Sequence, residues 1–480
     1  MQTPLLYRLS RFFLRFVLSF YFRSLEIGGA RHIRRAGPVV FAANHPQSII
    51  DSFILGWAAG RMLHYLGHAG LFRSPIRRWF LRGSGVIPVY RRDESNAEAS
   101  DRDDRNQEAF RESFTVLEKG GAIGIFPEGI SVPGRKVQPM KTGAARIALG
   151  AEHQNGWKLG ARIVPAGISF ESAGRFRSRV LVVFGDAIEM KPWRAEYERD
   201  PSGAVQSVTA LLEERISGLV TNVEFERSEI VRDLERVYRE ELATRPGLAL
   251  ATLSKFQREQ LLSREIAKAV EHYERTDSAV VWEARRALRR YRGRLERLRI
   301  SDRVMRAGVS PSPRRVSPSF RREVAKSVVI GIAGLPFAAY GAFWNILPYK
   351  LTGRLAARKA PDATQYHQYQ ILFGGLLYGL YYPPLFYWFY ASLGALPTAV
   401  FALTLVPTGF FARWYGRFFA GRTQSVRFAY LSATRGVTIQ KLRRDRALIV
   451  RRMDELVERY LRETGTELPT DPDRDERGVK

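Results

Sequence analysis

The sequence predicts an α/β domain with a mixed sheet flanked by helices. A charged helical insert and a C-terminal transmembrane or re-entrant helical region follow it. Three observations carry this expectation. Residues 25–220 alternate short apolar, strand-like runs with helix-like stretches, the sign of an α/β domain. Residues 222–310 turn highly charged and helical in pattern. Then Ser327–Pro348 gives 22 residues without a charge, and Ala363–Ala412 gives 50. About 20 residues of helix cross a bilayer core.

The elements read in order as follows. In residues 1–24, Arg8, Arg11, Arg15, Ser19 and Arg23 recur every three or four positions and share a helix face. Phe12, Phe13, Phe16, Val17, Phe20 and Tyr21 fill the rest. This pattern predicts an amphipathic membrane-interface helix, with packing on the protein's own core as the alternative. It lacks the uninterrupted apolar stretch and cleavage site of a signal peptide.

The α/β domain is expected over 25–221. Its strands are Pro38–Ala43, Gly121–Phe126, Ala161–Val164 and Val180–Phe184, with helices at 48–59, 106–119 and 141–152. A charged helical region and linker follow over 222–312. Leu288, Tyr291, Leu295 and Leu298 keep heptad spacing there, as in a helical hairpin or a short coiled coil. The proline-rich run Ser310–Pro318 marks a break.

Membrane-embedded helices are expected over 313–420, and a charged helix and tail over 421–480. Basic residues flank both uncharged runs on every side, at Arg321, Arg322, Lys326, Lys350, Arg354, Arg358, Lys359, Arg413, Arg417 and Arg422. The positive-inside tendency would place all of them on one face. Two re-entrant hairpins satisfy that, the first broken at Pro336.

Composition narrows the partners. The 480 residues contain no cysteine, which excludes disulfides, a thiol nucleophile and cysteine-ligated metals. A net charge of +28 favours a polyanionic partner: nucleic acid, an anionic membrane or phosphorylated substrates. The basic residues cluster beside apolar runs, where lipid accounts for them, and no nucleic-acid reading module is recognisable. A phospholipid membrane is therefore the expected partner, and nucleic acid is not.

The chemistry centres on Ala43-Asn-His-Pro-Gln-Ser-Ile-Ile-Asp51. A histidine follows a buried strand, and a carboxylate comes about one and a half helical turns later. With a helix starting near Pro46, Asp51 can turn back toward His45. Neutral imidazole is available as a general base near neutral pH. A carboxylate on its other nitrogen would fix the tautomer and support the imidazolium. Taken alone, the pair reads equally well as a strand-end histidine capping a helix.

Four further segments follow in order. They are Gly85-Val-Ile-Pro-Val-Tyr-Arg-Arg92, Phe126-Pro-Glu-Gly-Ile-Ser131, Pro139-Met-Lys-Thr-Gly143 and Ile163-Val-Pro-Ala-Gly167. With the Asn-His and Asp above, residues 25–190 resemble the glycerophospholipid acyltransferase superfamily. The resemblance implies that His45 takes the acceptor hydroxyl's proton and that Asp51 orients it. It implies substrate-binding roles for Asn44, Arg91, Glu128, Gly129, Lys141 and Pro165. Arg91 would grip a phosphate, Glu128 and Gly129 would shape the acceptor site, and Pro165 would shape the wall near the acyl thioester. Lys141 would contact phosphate at a helix N-terminus.

The implied activity moves a fatty acyl chain from acyl-CoA or acyl-ACP, as co-substrate, to glycerol 3-phosphate or 1-acyl-glycerol 3-phosphate. No metal and no other cofactor is implied. The implied location is a bacterial cytoplasmic (inner) membrane, with the catalytic domain on the cytoplasmic face.

Two departures from the common pattern agree with each other. Five residues separate His45 from Asp51 where most of the superfamily has four, and Ile130-Ser131 stands where Thr-Arg is common. Both resemble the glycerol-3-phosphate and dihydroxyacetone-phosphate branch. Arg135 or Lys141 would then replace the missing arginine. Dihydroxyacetone phosphate or another lysophospholipid is the rival acceptor, and an inactive membrane scaffold the rival of another class. His64 and His68, four apart, and the acidic run Asp93–Asp104 are discounted as metal sites.

Overall fold

The strand-forming runs assemble into one eight-stranded mixed sheet in this computed structural model. The structure describes residues 5–33, 35–89, 99–245, 250, 253–307 and 318–466, with side chains omitted at 5–9, 99–106, 307 and 318–325. The chain enters through α1 (Leu5–Tyr21), β1 (Ser24–Gly28), β2 (Val39–Ala43) and α2 (Ile49–Ala59). Next come β3 (His64–His68), α3 (Pro75–Gly83), β4 (Ile87–Val89), α4 (Ala99–Glu118), β5 (Ala122–Ile125) and α5 (Gly143–Gln154). The domain closes with β6 (Arg162–Phe170), β7 (Arg179–Phe184), β8 (Ile188–Glu189), α6 (Arg194–Arg199) and α7 (Pro201–Leu219).

The strand order is β1-β7-β6-β2-β5-β3-β4, with β8 alongside β6. All pairs are parallel except β6–β7 and β6–β8. β2 lies between β5 and β6, parallel to both, and every residue in it is buried. That is why it reads as a continuous apolar run rather than an alternating one. Phe41 and Ala43 join a core with Leu18 of α1 and Ile50 and Ile54 of α2. Val40 and Ala42 join the opposite core, with residues of α4, α5 and α7. The carboxyl ends of β2 and β5 are therefore adjacent, where ligands bind in sheets of this kind.

The charged region forms a helical bundle of α8 (Ser228–Val237), α9 (Arg239–Leu242), α10 (Lys255–Thr276), α11 (Ser278–Leu298) and α12 (Asp302–Ala307). α10 and α11 make the hairpin that the heptad spacing suggested. Leu288, Tyr291 and Leu295 are buried against Ile266 and Val270. The C-terminal helix α16 (Gly436–Thr464) completes this core with Leu442, Met453 and Tyr460. Segments far apart in sequence thus share one hydrophobic cluster. The bundle is tied to the sheet by Arg179–Glu259 at 2.7 Å and Arg135–Glu235 at 2.6 Å.

Between bundle and tail lie α13 (Pro318–Lys359), α14 (Tyr366–Leu393) and α15 (Ala395–Thr434). The expected break at Pro336 is absent. α13 runs through Pro336 and Pro348, α14 through Pro383 and Pro384, and α15 through Pro407. Neighbouring helices and side-chain donors re-satisfy carbonyls that proline leaves free, so apolar helices tolerate it. Asn345 ties α13 to α15: its Nδ2 donates to Gly341 O at 2.9 Å and to Leu405 O at 3.2 Å.

Gly341 meets α15 so closely that a Cβ there would lie 2.0 Å from Thr408 O. Residues 326–359 and 395–434 form two helices long and apolar enough to cross a membrane. Among their outward side chains are Ile332, Phe337, Phe343, Leu396 and Leu403. α14 docks on the sheet domain through buried His367. Its Nε2 accepts from Gly174 N–H at 2.9 Å, and its Nδ1 lies 2.8 Å from Tyr21 Oη.

α1 is a helix. Half-buried Arg11 donates to Gly60 O at 3.0 Å, whereas Arg15, Ser19 and Arg23 are exposed, as are Phe12, Phe13 and Phe16. Leu18 and Tyr21 are buried.

Candidate active site

At the end of β2 the chain leaves the sheet through Asn44. Its Nδ2 donates to Ile168 O at 3.1 Å, and its Oδ1 accepts from Ile168 N at 2.7 Å. Asn44 thus extends the β2–β6 ladder by one side chain. Both ends of its amide are thus engaged by backbone.

His45 follows. Its Nδ1 lies 3.0 Å from Asp51 Oδ2, and Gln47 N donates to the same oxygen at 2.7 Å. α2 starts at Ile49 rather than near Pro46, so Asp51 sits in the first helical turn. Between histidine and aspartate, Ser48, the residue before the helix, has a φ of 55°, left-handed backbone that a non-glycine residue rarely adopts.

The loop after β5 holds the histidine loop in place. Glu128 Oε1 accepts from His45 N at 2.9 Å, and Oε2 from Gln138 N at 3.3 Å. Ser131 Oγ accepts from Ser48 N at 2.9 Å and donates to His45 O at 2.8 Å. Phe126 stacks on the imidazole, with ring centroids 4.1 Å apart and 15° between planes. These contacts fix both the position and the tilt of the ring. Ser131 and Phe126 were missed as positioning residues. The only sequence signal for Ser131 was its departure from the common Thr-Arg.

Asp51 is fully buried, and burial pushes its carboxyl above the usual range, against the hydrogen bonds from His45 and Gln47. Glu128 is likewise raised by burial, opposed by the His45 and Gln138 amides. With Nδ1 turned to Asp51, Nε2 is the ring nitrogen left for the cleft.

That cleft measures about 1770 Å³ and is lined by His45, by α1, α2 and α3, and by the start of α5. Its walls carry Arg11, Arg15, Arg77, Lys141 and Arg146 and, among the described residues, no carboxylate. Leu14, Phe53, Trp57, Trp79 and Phe80 supply apolar surface. A cavity with cationic groups, a long apolar wall and a carboxylate-supported histidine suits an anionic amphiphile and proton transfer from a hydroxyl.

Residues 24–169 match the family model described as Acyltransferase. This segment is an acyltransferase domain. All of the site contacts from Asn44 to Ser131 fall inside it.

Among curated proteins the chain is similar to glycerol-3-phosphate O-acyltransferase 1 of Saccharomyces cerevisiae. The identity is 25% over 381 residues, covering 75% of this chain and 48% of that protein. It is also similar to a chloroplastic 1-acyl-sn-glycerol-3-phosphate acyltransferase of Brassica napus. There the identity is 28% over 129 residues, covering 27% of this chain and 32% of that one. The chain thus spans at most about half the length of these relatives. Among solved structures, the 1-acyl-sn-glycerophosphate acyltransferase of Thermotoga maritima aligns with a TM-score of 0.31 and 21% identity. It covers 43% of this chain and 81% of that chain.

The remaining expected site residues of the acyltransferase domain divide. Gly129 and Lys141 line the cleft. Gly129 has a left-handed φ of 68°, and a Cβ there would lie 2.9 Å from Lys141 Nζ, so glycine makes room for the lysine. Arg91 and Arg92 lie outside the described residues, as does the acidic run up to residue 98.

Pro165 is not on the cleft wall. It is buried in β6 opposite Ala42, and it packs beside Gly185 and Leu219 under α7. Arg135 does not replace the missing arginine, because its guanidinium pairs with Glu235 of the bundle at 2.6 and 3.2 Å. His64 and His68 lie on strand β3, not on a helix. His64 Nδ1 is 3.1 Å from Gly85 O, and His68 Nδ1 accepts from Gly70 N–H at 3.2 Å. Among the described residues no group of three His, Asp or Glu is placed to hold a metal ion.

Proposed function

We propose that this protein is a membrane-bound acyltransferase that esterifies glycerol 3-phosphate, with acyl-CoA or acyl-ACP as donor and 1-acyl-glycerol 3-phosphate as a second acceptor. The observation that carries the reading is the His45–Asp51 pair, held by Glu128 and Ser131 at the edge of a cationic, partly apolar cleft. The five-residue spacing and the long alignment with the yeast glycerol-3-phosphate enzyme favour the first acceptor. The shorter match to the Brassica enzyme supports the second.

In the mechanism, His45 Nε2 takes the proton from the acceptor hydroxyl as its oxygen attacks the thioester carbonyl. The imidazolium is stabilised by Asp51 through Nδ1–H. The carbonyl electrons move onto oxygen and then return, expelling the thiolate, which takes the proton back from Nε2. Backbone N–H at the start of α2, where Ile49 lines the cleft, stabilises the oxyanion. Lys141 and Arg91 bind the acceptor phosphate, Arg91 by its planar fork. The helices at 326–359 and 395–434 anchor the chain in a bacterial inner membrane, with the sheet domain on the cytoplasmic face.

The test supplies membranes holding the protein with a labelled acyl thioester and each acceptor in turn. His45→Ala should abolish transfer while membrane association persists. Full activity in that variant would overturn the mechanism.

A further inference from the structure

Five arginines from three separate segments gather where the sheet domain meets α15, and the reaction uses none of them. Arg23 follows α1, Arg175 and Arg177 sit on the turn between β6 and β7, and Arg413 and Arg417 lie one helical turn apart on α15. Nη1 of Arg177 closes the end of α1, donating to Ser19 O and Phe20 O at 3.2 Å and to Phe22 O at 3.1 Å. The same guanidinium lies over Phe410 of α15, 5.1 Å from the ring centroid. Arg413 donates to Tyr349 Oη and, at 2.6 Å, to Phe176 O, while its Nε is buried without a partner.

The charge of this cluster is not balanced. Among the described residues none of the five arginines pairs with a carboxylate. Glu171, on the same hairpin, pairs with Arg179 at 3.1 Å and has Arg175 only in its wider field. Burial, then the charges of Arg23 and Arg413, hold the Arg177 guanidinium below its ordinary value. Arg413, Arg175 and Arg23 also act electrostatically on Arg417. Like charges that the fold holds together favour an anion between them, and a planar guanidinium grips phosphate through two parallel hydrogen bonds.

Two observations make that anion a lipid. First, the uncharged run Ala363–Ala412 ends at Arg413, so the cluster stands where a spanning helix leaves the hydrocarbon and headgroups begin. Secondly, Leu403, Val406 and Phe410 precede Arg413 and Arg417 at intervals of three and four, which places all five on one side of α15. Leu403 is 77% exposed and Val406 42%, so this apolar track is open to a hydrocarbon chain and ends in two charges. A free phosphate would leave the track bare.

We propose that Arg23, Arg175, Arg177, Arg413 and Arg417 bind the phosphate of one anionic phospholipid, whose acyl chain runs along Leu403, Val406 and Phe410. The bound lipid joins the sheet domain to α15 by neutralising arginines from both. The site is separate from the His45 cleft and stands whatever the cleft transfers. It rests on the reading of α15 as a membrane helix.

The test uses the full chain in phosphatidylcholine nanodiscs with rising phosphatidylglycerol, and native mass spectrometry counts the lipid retained. The wild-type chain should keep one phosphatidylglycerol at least about tenfold more tightly than phosphatidylcholine, and Arg23→Gln with Arg417→Gln should abolish that preference. Arg354→Gln with Arg358→Gln removes two exposed charges from the end of α13 and should leave the preference intact. Inorganic phosphate should not displace the lipid.

Equal loss in the two double variants would reduce the effect to general surface charge and overturn the site. Displacement by inorganic phosphate would make the ligand a free anion and overturn the lipid. Arg175→Gln, on an exposed turn, carries the test if the first double variant fails to fold. Flotation with vesicles of phosphatidylcholine alone checks the membrane reading separately. A chain that floats but shows no preference keeps that reading and refutes the site, and a chain that fails to float removes both.

Discussion

Asp51→Asn separates the chemical part of the site from its architecture. The amide keeps the size of the carboxylate, so the packing around a fully buried position is retained. What is lost is the negative charge 3.0 Å from His45 Nδ1. With charge centres about 4 Å apart and an effective dielectric near 20, that charge stabilises an imidazolium by about 4 kcal/mol. A loss of that size in the transition state lowers kcat by roughly a thousandfold.

Stability should move differently. Burial raises the Asp51 carboxyl, so the ionised form costs the fold something at neutral pH, and removing the charge should leave Tm within a few degrees of wild type. The assay is kcat and acceptor KM in proteoliposomes, beside thermal unfolding of the same preparation. A loss of less than about tenfold in kcat, or a collapse of Tm that matches the loss of activity, would refute the general-base reading of the pair.

Three further outcomes follow from the same contacts. Ser131→Ala removes the acceptor of Ser48 N–H and the donor to His45 O, and it should cost about 1–3 kcal/mol of stability. It should also lower kcat with little change in acceptor KM, as steady-state kinetics will report. Lys141→Ala should raise the acceptor KM, whereas Arg135→Ala should leave it unchanged and lower Tm by loosening the bundle; an unaltered KM in the first variant removes the phosphate role. The raised Asp51 carboxyl gives opposite pH trends. Its contribution to stability is full below the ordinary carboxylate value and is lost as pH rises through its higher folded value, while activity needs the ionised form and rises through the same window. Comparing Tm with Asp51→Asn across pH isolates the first trend, and the acid limb of wild-type kcat reports the second.

The features legible in the sequence are those set by neighbours along the chain. β2 and β5 could be found because buried parallel strands are continuous apolar runs, and His45 because it directly follows one. The heptad residues of α11 betrayed a packed face, though not that α16, some 150 residues on, would complete the core. The proline in α13 misled because proline breaks an isolated helix. Asn345 and the glycine contact with α15 belong to packing that no local pattern encodes.

The same distinction runs through the site. The histidine and aspartate are six residues apart and could be paired on paper. The groups that fix their geometry come from a loop more than eighty residues later, through Glu128 and Ser131. Pro165 and Asn44 lie in motif positions yet serve the sheet, because a motif records which residues recur and not which way a strand turns them. α1 makes the point once more. Periodicity grouped Arg11, Arg15, Ser19 and Arg23 on one face. Only the fold, by closing a cleft beside it, decides that Arg11 and Arg15 reach the cleft wall while Ser19 and Arg23 stay exposed with the rings.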